Sequence, residues 1–171
     1  MSLTPVMDWP EAAALFSGAL MLALAWQGLR RAVARFRRGR WARDKRSMAD
    51  LAALSPNDFE AITAAAFEAK GWRVEIIGRQ GQQDGGLDLM LYKGGRRIVA
   101  QCKRYAAKVG APTVRETMGV MIHHRAHGAY VVALSGFTRQ AREWAKGKPL
   151  RLIDGQQLLG AIHAKQGRGK P

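Results

Sequence analysis

The chain has 171 residues, 47% of them apolar, with 28 Lys and Arg against 13 Asp and Glu, a formal charge of +15 and a pI near 11.1. That length and apolar content suit one folded α/β core, and the single cysteine, Cys102, excludes an intrachain disulfide or a cysteine zinc cluster. The basic excess points to a polyanionic partner, DNA before others.

Ala12 to Leu29 is an uncharged run of 18 residues. As a helix it would be about 27 Å long, enough for a thin bilayer core. Asp8 and Glu11 precede it, and nine basic residues between Arg30 and Arg46 follow it against Asp44 alone, a net of +8. The positive-inside rule then predicts a single-pass inner-membrane protein. Residues 1–11 would form a short extracytoplasmic tail, 12–29 a transmembrane helix and 30–47 a basic juxtamembrane segment, with everything after in the cytoplasm. Two other readings of the run stay open. It is Ala-rich enough for an interfacial helix, and Ala23-Leu24-Ala25 resembles a leader cleavage site, although the basic residues follow the run rather than precede it. The basic segment is expected to be helical, with Val33, Phe36 and Trp41 among its arginines. It suits anionic lipid heads, DNA, or topology alone.

Residues 48–164 read as the folded domain, and 48–171 carry 19 basic against 10 acidic residues, so this part is basic in its own right. Ser55-Pro56-Asn57-Asp58 is a helix start, with Ser as N-cap and Pro in the first turn. Phe59, Ile62, Ala66 and Phe67 follow at helical spacing, and Lys70-Gly71 is a stop. Glu60 lies about 100° round from Phe59, on the border of the apolar face. Trp72 is expected on a strand and in the core. Gly81-Gln82-Gln83-Asp84-Gly85-Gly86 reads as a mobile loop with Asp84 as a turn residue. It lacks the Gly-Lys-Ser/Thr ending of a phosphate-binding loop, so no nucleotide cofactor is expected.

A hairpin follows. Residues 88–92 and 97–103 are strands joined by Lys93-Gly94-Gly95-Arg96. Side chains alternate along a strand, so Gln101 and Lys103 share a face that the turn folds beside Asp88, while Cys102 faces the other way into the core. An acid, an amide and an ammonium at one end of a hairpin suit a metal ion and a phosphodiester. Mg²⁺ takes oxygen ligands, commonly one or two carboxylates. Asp88 supplies a carboxylate, and the Gln101 side-chain oxygen and Cys102 backbone carbonyl supply neutral oxygens. Lys103 would orient the attacking water or stabilise charge developing on phosphorus. Mn²⁺ is the natural substitute ion.

Residues 113–127 are expected to be a helix with Val114, Met118, Met121 and Ile122 as its apolar stripe. His123 and His127 then fall on the outer face four apart, a spacing that can hold a metal but lacks a third ligand. Residues 129–134 form a continuous apolar run, as in a central strand buried on both faces. A helix over 138–146, with Trp144 in the core, a strand over 150–153 and a closing helix over 156–164 complete the pattern. Residues 165–171 are polar and expected to be disordered.

Read together, these residues resemble the Mrr-type restriction endonuclease domain of the PD-(D/E)XK nuclease superfamily. Asp84-Gly85-Gly86-Leu87-Asp88 matches its Asp-x-Gly-x-Asp stretch, and Gln101-Cys102-Lys103-Arg104-Tyr105 its third-strand signature. Ser135-Gly136-Phe137-Thr138 with Ala141, and Leu152-Ile153-Asp154-Gly155, match its later segments. The likeness covers about residues 51–162. It implies an α/β restriction-endonuclease-like core of order α-β-β-β-α-β and a Mg²⁺-dependent DNA endonuclease. The catalytic set would be Asp88, Gln101, Lys103 and, by position on the first helix, Glu60. Gln101 stands where most of the superfamily has Glu, which implies looser metal binding. It keeps open a second reading, a catalytically weak nuclease-fold protein that binds DNA at the membrane. One site per chain implies a homodimer, or sequential nicking, for cutting both strands.

Overall fold

In the computed structural model the described residues are 9–77 and 86–164, with side chains from residue 16 onward. Asp84 and the tail from 165 lie outside them. The chain divides into two compact units, Met1–Arg37 and Arg38–Pro171.

The first helix, α1 (Trp9–Arg43), takes in both the apolar run and most of the basic segment. Phe16, Leu20, Met21, Leu22, Leu24, Trp26 and Leu29 are all exposed. Among the described residues no helix is long and apolar enough to cross a membrane. The expected span over 12–29 is therefore helical but not supported as a membrane crossing, and the side chains of residues 12–15 lie outside the described set.

The second unit is built on a five-stranded sheet in the order β1 (Arg73–Ile76), β2 (Leu89–Lys93), β3 (Arg96–Lys103), β4 (Gly128–Ala133), β5 (Leu150–Asp154). β1, β2 and β3 are antiparallel, and β3, β4 and β5 are parallel. The β2–β3 turn has Gly94 and Gly95 at φ 55° and 73°. Two consecutive positive φ values twist a two-residue turn to match its strands, and only glycine adopts both without strain.

Helices α2 (Met48–Ala52), α3 (Pro56–Ala69) and α6 (Gly155–His163) lie over one face of the sheet, and α4 (Ala111–His123) and α5 (Arg139–Ala145) over the other. Strand alternation divides the core accordingly. Leu89, Leu91, Ile98, Ala100 and Val132 pack with Phe59, Ile62, Leu158 and Ile162. Met90, Val99, Val131 and Ala133 pack with Val114, Met121, Phe137 and Ala141. β4, flanked by strands and covered on both faces, explains its unbroken apolar sequence.

Ser55 caps α3 as the sequence predicts, and two further caps accompany it. The Ser55 and Thr138 side chains accept from the N–H groups of Asp58 and Ala141. Asp154 and Gln157 cap α6 reciprocally. The end of α1 is tied to this unit by buried Ala42 and by the Arg38–Glu68 ion pair, 2.6 Å.

Helix α4 departs from expectation. It ends at His123, where His124 takes the C-cap and Arg125 turns with φ 48°. His127 is off the helix, and its Nδ1 accepts from Arg97 N–H at 3.1 Å. The His123–His127 pair four apart on one helix therefore does not exist. Ile122 is exposed, and the inward stripe is Ala111, Val114, Thr117 and Met121. A turn four residues earlier than expected shifts the chain into β4, because pairing with β3 begins at Gly128 opposite Ile98.

Candidate active site

β2 begins at Leu89, opposite Ala100, whereas β3 runs on through Gln101, Cys102 and Lys103. Asp88 fills the space this leaves. Its backbone stays in the ladder, with N–H to Ala100 O at 3.1 Å and its carbonyl accepting from Ile77 N–H at 2.9 Å. Its Oδ2 accepts from Cys102 N–H at 2.6 Å.

Asp88 is half-buried, and that burial pushes its carboxyl above the ordinary aspartate value. The Cys102 amide and the Lys103 charge oppose the rise without cancelling it. A desolvated carboxylate with one amide donor and a nearby ammonium is under-compensated for its charge, and a hard cation is the group that would compensate it.

Gln101 is fully buried on the α4 face. Its Oε1 position lies 2.6 Å from Thr117 Oγ1, and its Nε2 position has no hydrogen-bond partner among the described residues. The unpartnered end points to Gly86: a methyl built there would collide with it and would also touch the Glu116 carboxylate. Gly86 has φ 90°, so both backbone and space call for glycine. A buried amide end with no protein partner is unusual enough to call for a missing ligand. The donor set in this gap, a carboxylate oxygen, a backbone carbonyl and an amide, is all hard. It fits Mg²⁺ or Mn²⁺ rather than a thiophilic ion.

Lys103 is half-buried on the same strand face, with Nζ 5.6 Å from the Tyr105 ring centroid. Its positive charge lowers the titration of both Asp88 and Cys102, so it stands within electrostatic reach of each. Cys102 turns to the opposite face and packs with the α3 side of the core. Burial first, then the charges of Asp88 and Glu60, push its thiol well up, against the Thr63 hydrogen bond and Lys103. The thiol stays protonated at neutral pH and faces the α3-side core, away from Gln101 and Lys103.

Glu60 is half-buried on α3, and its charge is felt at Cys102. Asp88, Gln101, Lys103 and Glu60 are thus brought around Cys102 from both faces of β3. Among the described residues no three of His, Cys, Asp and Glu cluster as a metal site. Thr117, Gly86 and Glu116 were missed by sequence reasoning. Thr117 is a polar residue at an apolar-stripe position, and that was the signal available.

Comparison with known proteins places this geometry. The family model of the Mrr-type catalytic domain, described as restriction endonuclease, matches residues 51–162. The type IV methyl-directed restriction enzyme EcoKMrr of Escherichia coli (strain K12) is 31% identical over 117 residues, 64% of this chain but 38% of that enzyme. The chain thus matches well under half the length of that relative. Among solved structures, the DNA modification-dependent restriction endonuclease AspBHI superposes with a TM-score of 0.55 at 18% identity, over 78% of this chain and 36% of AspBHI. A protein of unknown function, AF1548, superposes with a TM-score of 0.51 at 14% identity, over 64% of this chain and 65% of its own. These last two share the fold. The sequence match runs from α2 to α6 and takes in Glu60, Asp88, Gln101 and Lys103, and on that ground the chain belongs to the Mrr-type restriction endonuclease family.

Proposed function

We propose that this protein is a divalent-metal-dependent DNA endonuclease, held at the membrane by its N-terminal helix, that restricts foreign or modified DNA. The observation that carries the reading is the gap at the end of β2. There Asp88 takes the Cys102 amide within reach of the Lys103 charge, beside the strand position of the buried Gln101, in a chain of a restriction endonuclease family.

Asp88, Gln101 Oε1 and the Cys102 carbonyl would hold the ion. Mg²⁺, or Mn²⁺ in its place, neutralises phosphate charge and lowers the pKa of a water when bound. Asp88 keeps its orientation through the Cys102 amide. Lys103 Nζ donates to the attacking water or to a non-bridging phosphate oxygen, whose charge grows as the new P–O bond forms and the ester P–O bond breaks. The attacking water gives up a proton to solvent, and the leaving alkoxide takes one up from solvent. Glu60 acts as an auxiliary acid from the α3 side.

DNA as substrate follows from the family and from the net +9 over residues 48–171. EcoKMrr is by its name methyl-directed and AspBHI modification-dependent, which supports a modified-DNA substrate. Membrane attachment rests on the uncharged run 12–29 and its one-sided basic flank, with the nuclease unit cytoplasmic. Two chains acting together would cut both strands.

A second reading, DNA binding with weak cleavage, draws on the neutral, buried Gln101. Nicking of supercoiled plasmid, methylated and unmethylated, by the full-length protein with Mg²⁺ or Mn²⁺ separates them. Metal-dependent nicking is expected. Tight DNA binding with no nicking under either ion would favour the second reading.

A further inference from the structure

Thr117 lies within hydrogen-bond distance of two oxygens. Its Oγ1 is 2.6 Å from the inner end of the Gln101 amide, placed as Oε1, and 2.9 Å from the Thr113 carbonyl. A hydroxyl has one proton to give. The Thr113 carbonyl can only accept. If Thr117 donates to it, the atom of Gln101 that faces Thr117 must be a donor, the amide NH₂. The oxygen and nitrogen of a Gln side chain are interchangeable in shape, and the hydrogen-bond network decides between them.

Turning the amide over resolves a second oddity. As placed, two N–H donors of a fully buried residue point into the gap without a partner. Turned over, one N–H is satisfied by Thr117, and the end that faces Gly86 and Glu116 becomes a carbonyl oxygen. The Glu116 carboxylate at that end would favour an NH₂ in the bare protein. A cation in the gap reverses the preference, since both oxygens then face positive charge.

We infer that Thr117 is a positioning residue that donates its hydroxyl hydrogen bond to Thr113 O and accepts one from Gln101 Nε2, fixing the Gln101 Oε1 toward the metal. This rests on the proposed metal site. It also explains how a neutral Gln serves where a carboxylate would need no such orientation: an amide has one correct way round, and a carboxylate has two.

The test uses the full-length protein and Mn²⁺ alone, with affinity read by calorimetry or by electron paramagnetic resonance of free Mn²⁺. Thr117→Val keeps the shape and removes the acceptor, and it should weaken Mn²⁺ binding about tenfold, the usual scale for losing a partner behind a metal ligand. Thr117→Ser should restore it. In the Mn²⁺-free protein loaded with diamagnetic Mg²⁺, the Gln101 NH₂ protons should show nuclear Overhauser contacts to Thr117 Hβ rather than to the Gly86 α-protons. Unchanged Mn²⁺ affinity in a folded Thr117→Val protein, or NH₂ contacts to Gly86 alone, would overturn the inference. Asp88→Ala separates this from the site itself. If Asp88→Ala abolishes Mn²⁺ binding while Thr117→Val leaves it intact, only the role of Thr117 fails. If Asp88→Ala binds Mn²⁺ normally, the site reading fails and the inference with it.

Discussion

Asp88 Oδ2 accepts from the backbone N–H of Cys102 at 2.6 Å across the open end of β2 and β3. The side chain thereby takes a backbone N–H that β2, which begins at Leu89 opposite Ala100, does not reach. The structural role and the proposed catalytic role of Asp88 are thus joined, and its variants must be read with both in mind.

Asp88→Ala and Lys103→Ala should each lower nicking by about 100-fold or more, the scale of losing a group that stabilises transition-state charge. DNA binding, carried by the diffuse basic surface, should persist in gel shifts. Asp88→Ala also orphans the Cys102 N–H and should cost roughly 1–3 kcal/mol of stability, whereas Asp88→Asn keeps an acceptor there. Full nicking in either alanine variant would remove these residues from the site.

Gln101→Glu should tighten Mg²⁺ binding by adding a charged oxygen. Without metal it places a carboxylate at a fully buried position, so its melting temperature should drop in chelator and recover with Mg²⁺. Weaker Mg²⁺ affinity by calorimetry would show that position 101 is not a ligand.

Burial holds the Asp88 carboxyl above the ordinary aspartate value. The folded state then binds more protons than the unfolded chain between that value and the raised one, so this group's contribution to stability falls as pH rises through that window. In chelator, Asp88→Asn should lose less stability than wild type as pH rises from the ordinary aspartate value in denaturant titrations. A cation has to displace that proton, so Mg²⁺ affinity should fall as pH drops through the same range. Equal slopes for the two proteins would mean that Asp88 is not desolvated in solution.

The Glu60 charge helps to raise the Cys102 thiol. Glu60→Gln should therefore let the thiol titrate at lower pH, seen as thiolate absorbance or faster alkylation, and should reduce nicking less than Asp88→Ala does. An unmoved thiol would place Glu60 too far from β3 to assist.

Membrane attachment predicts that full-length protein needs detergent for extraction. Release by carbonate or high salt would put α1 on the bilayer surface rather than across it.

Much of this molecule is written locally. Ser55 names its helix because a cap acts over three residues. Gly94-Gly95 names its turn because two positive φ values admit little else. The alternation at 101–103 assigns Gln101 and Lys103 to one face and Cys102 to the other, since period two is intrinsic to a strand. The family motif singles out Asp88, Gln101 and Lys103. What the tertiary structure decided is what depends on partners distant in sequence. The β3–β4 register pulled His127 off α4 and dissolved the histidine pair. The shortness of β2 turned Asp88 onto the Cys102 amide and buried it enough to shift its titration. The docking of α4 set Thr117 against Gln101, 16 residues away. A local pattern specifies which way a side chain points; only packing specifies what it meets and how much water it loses.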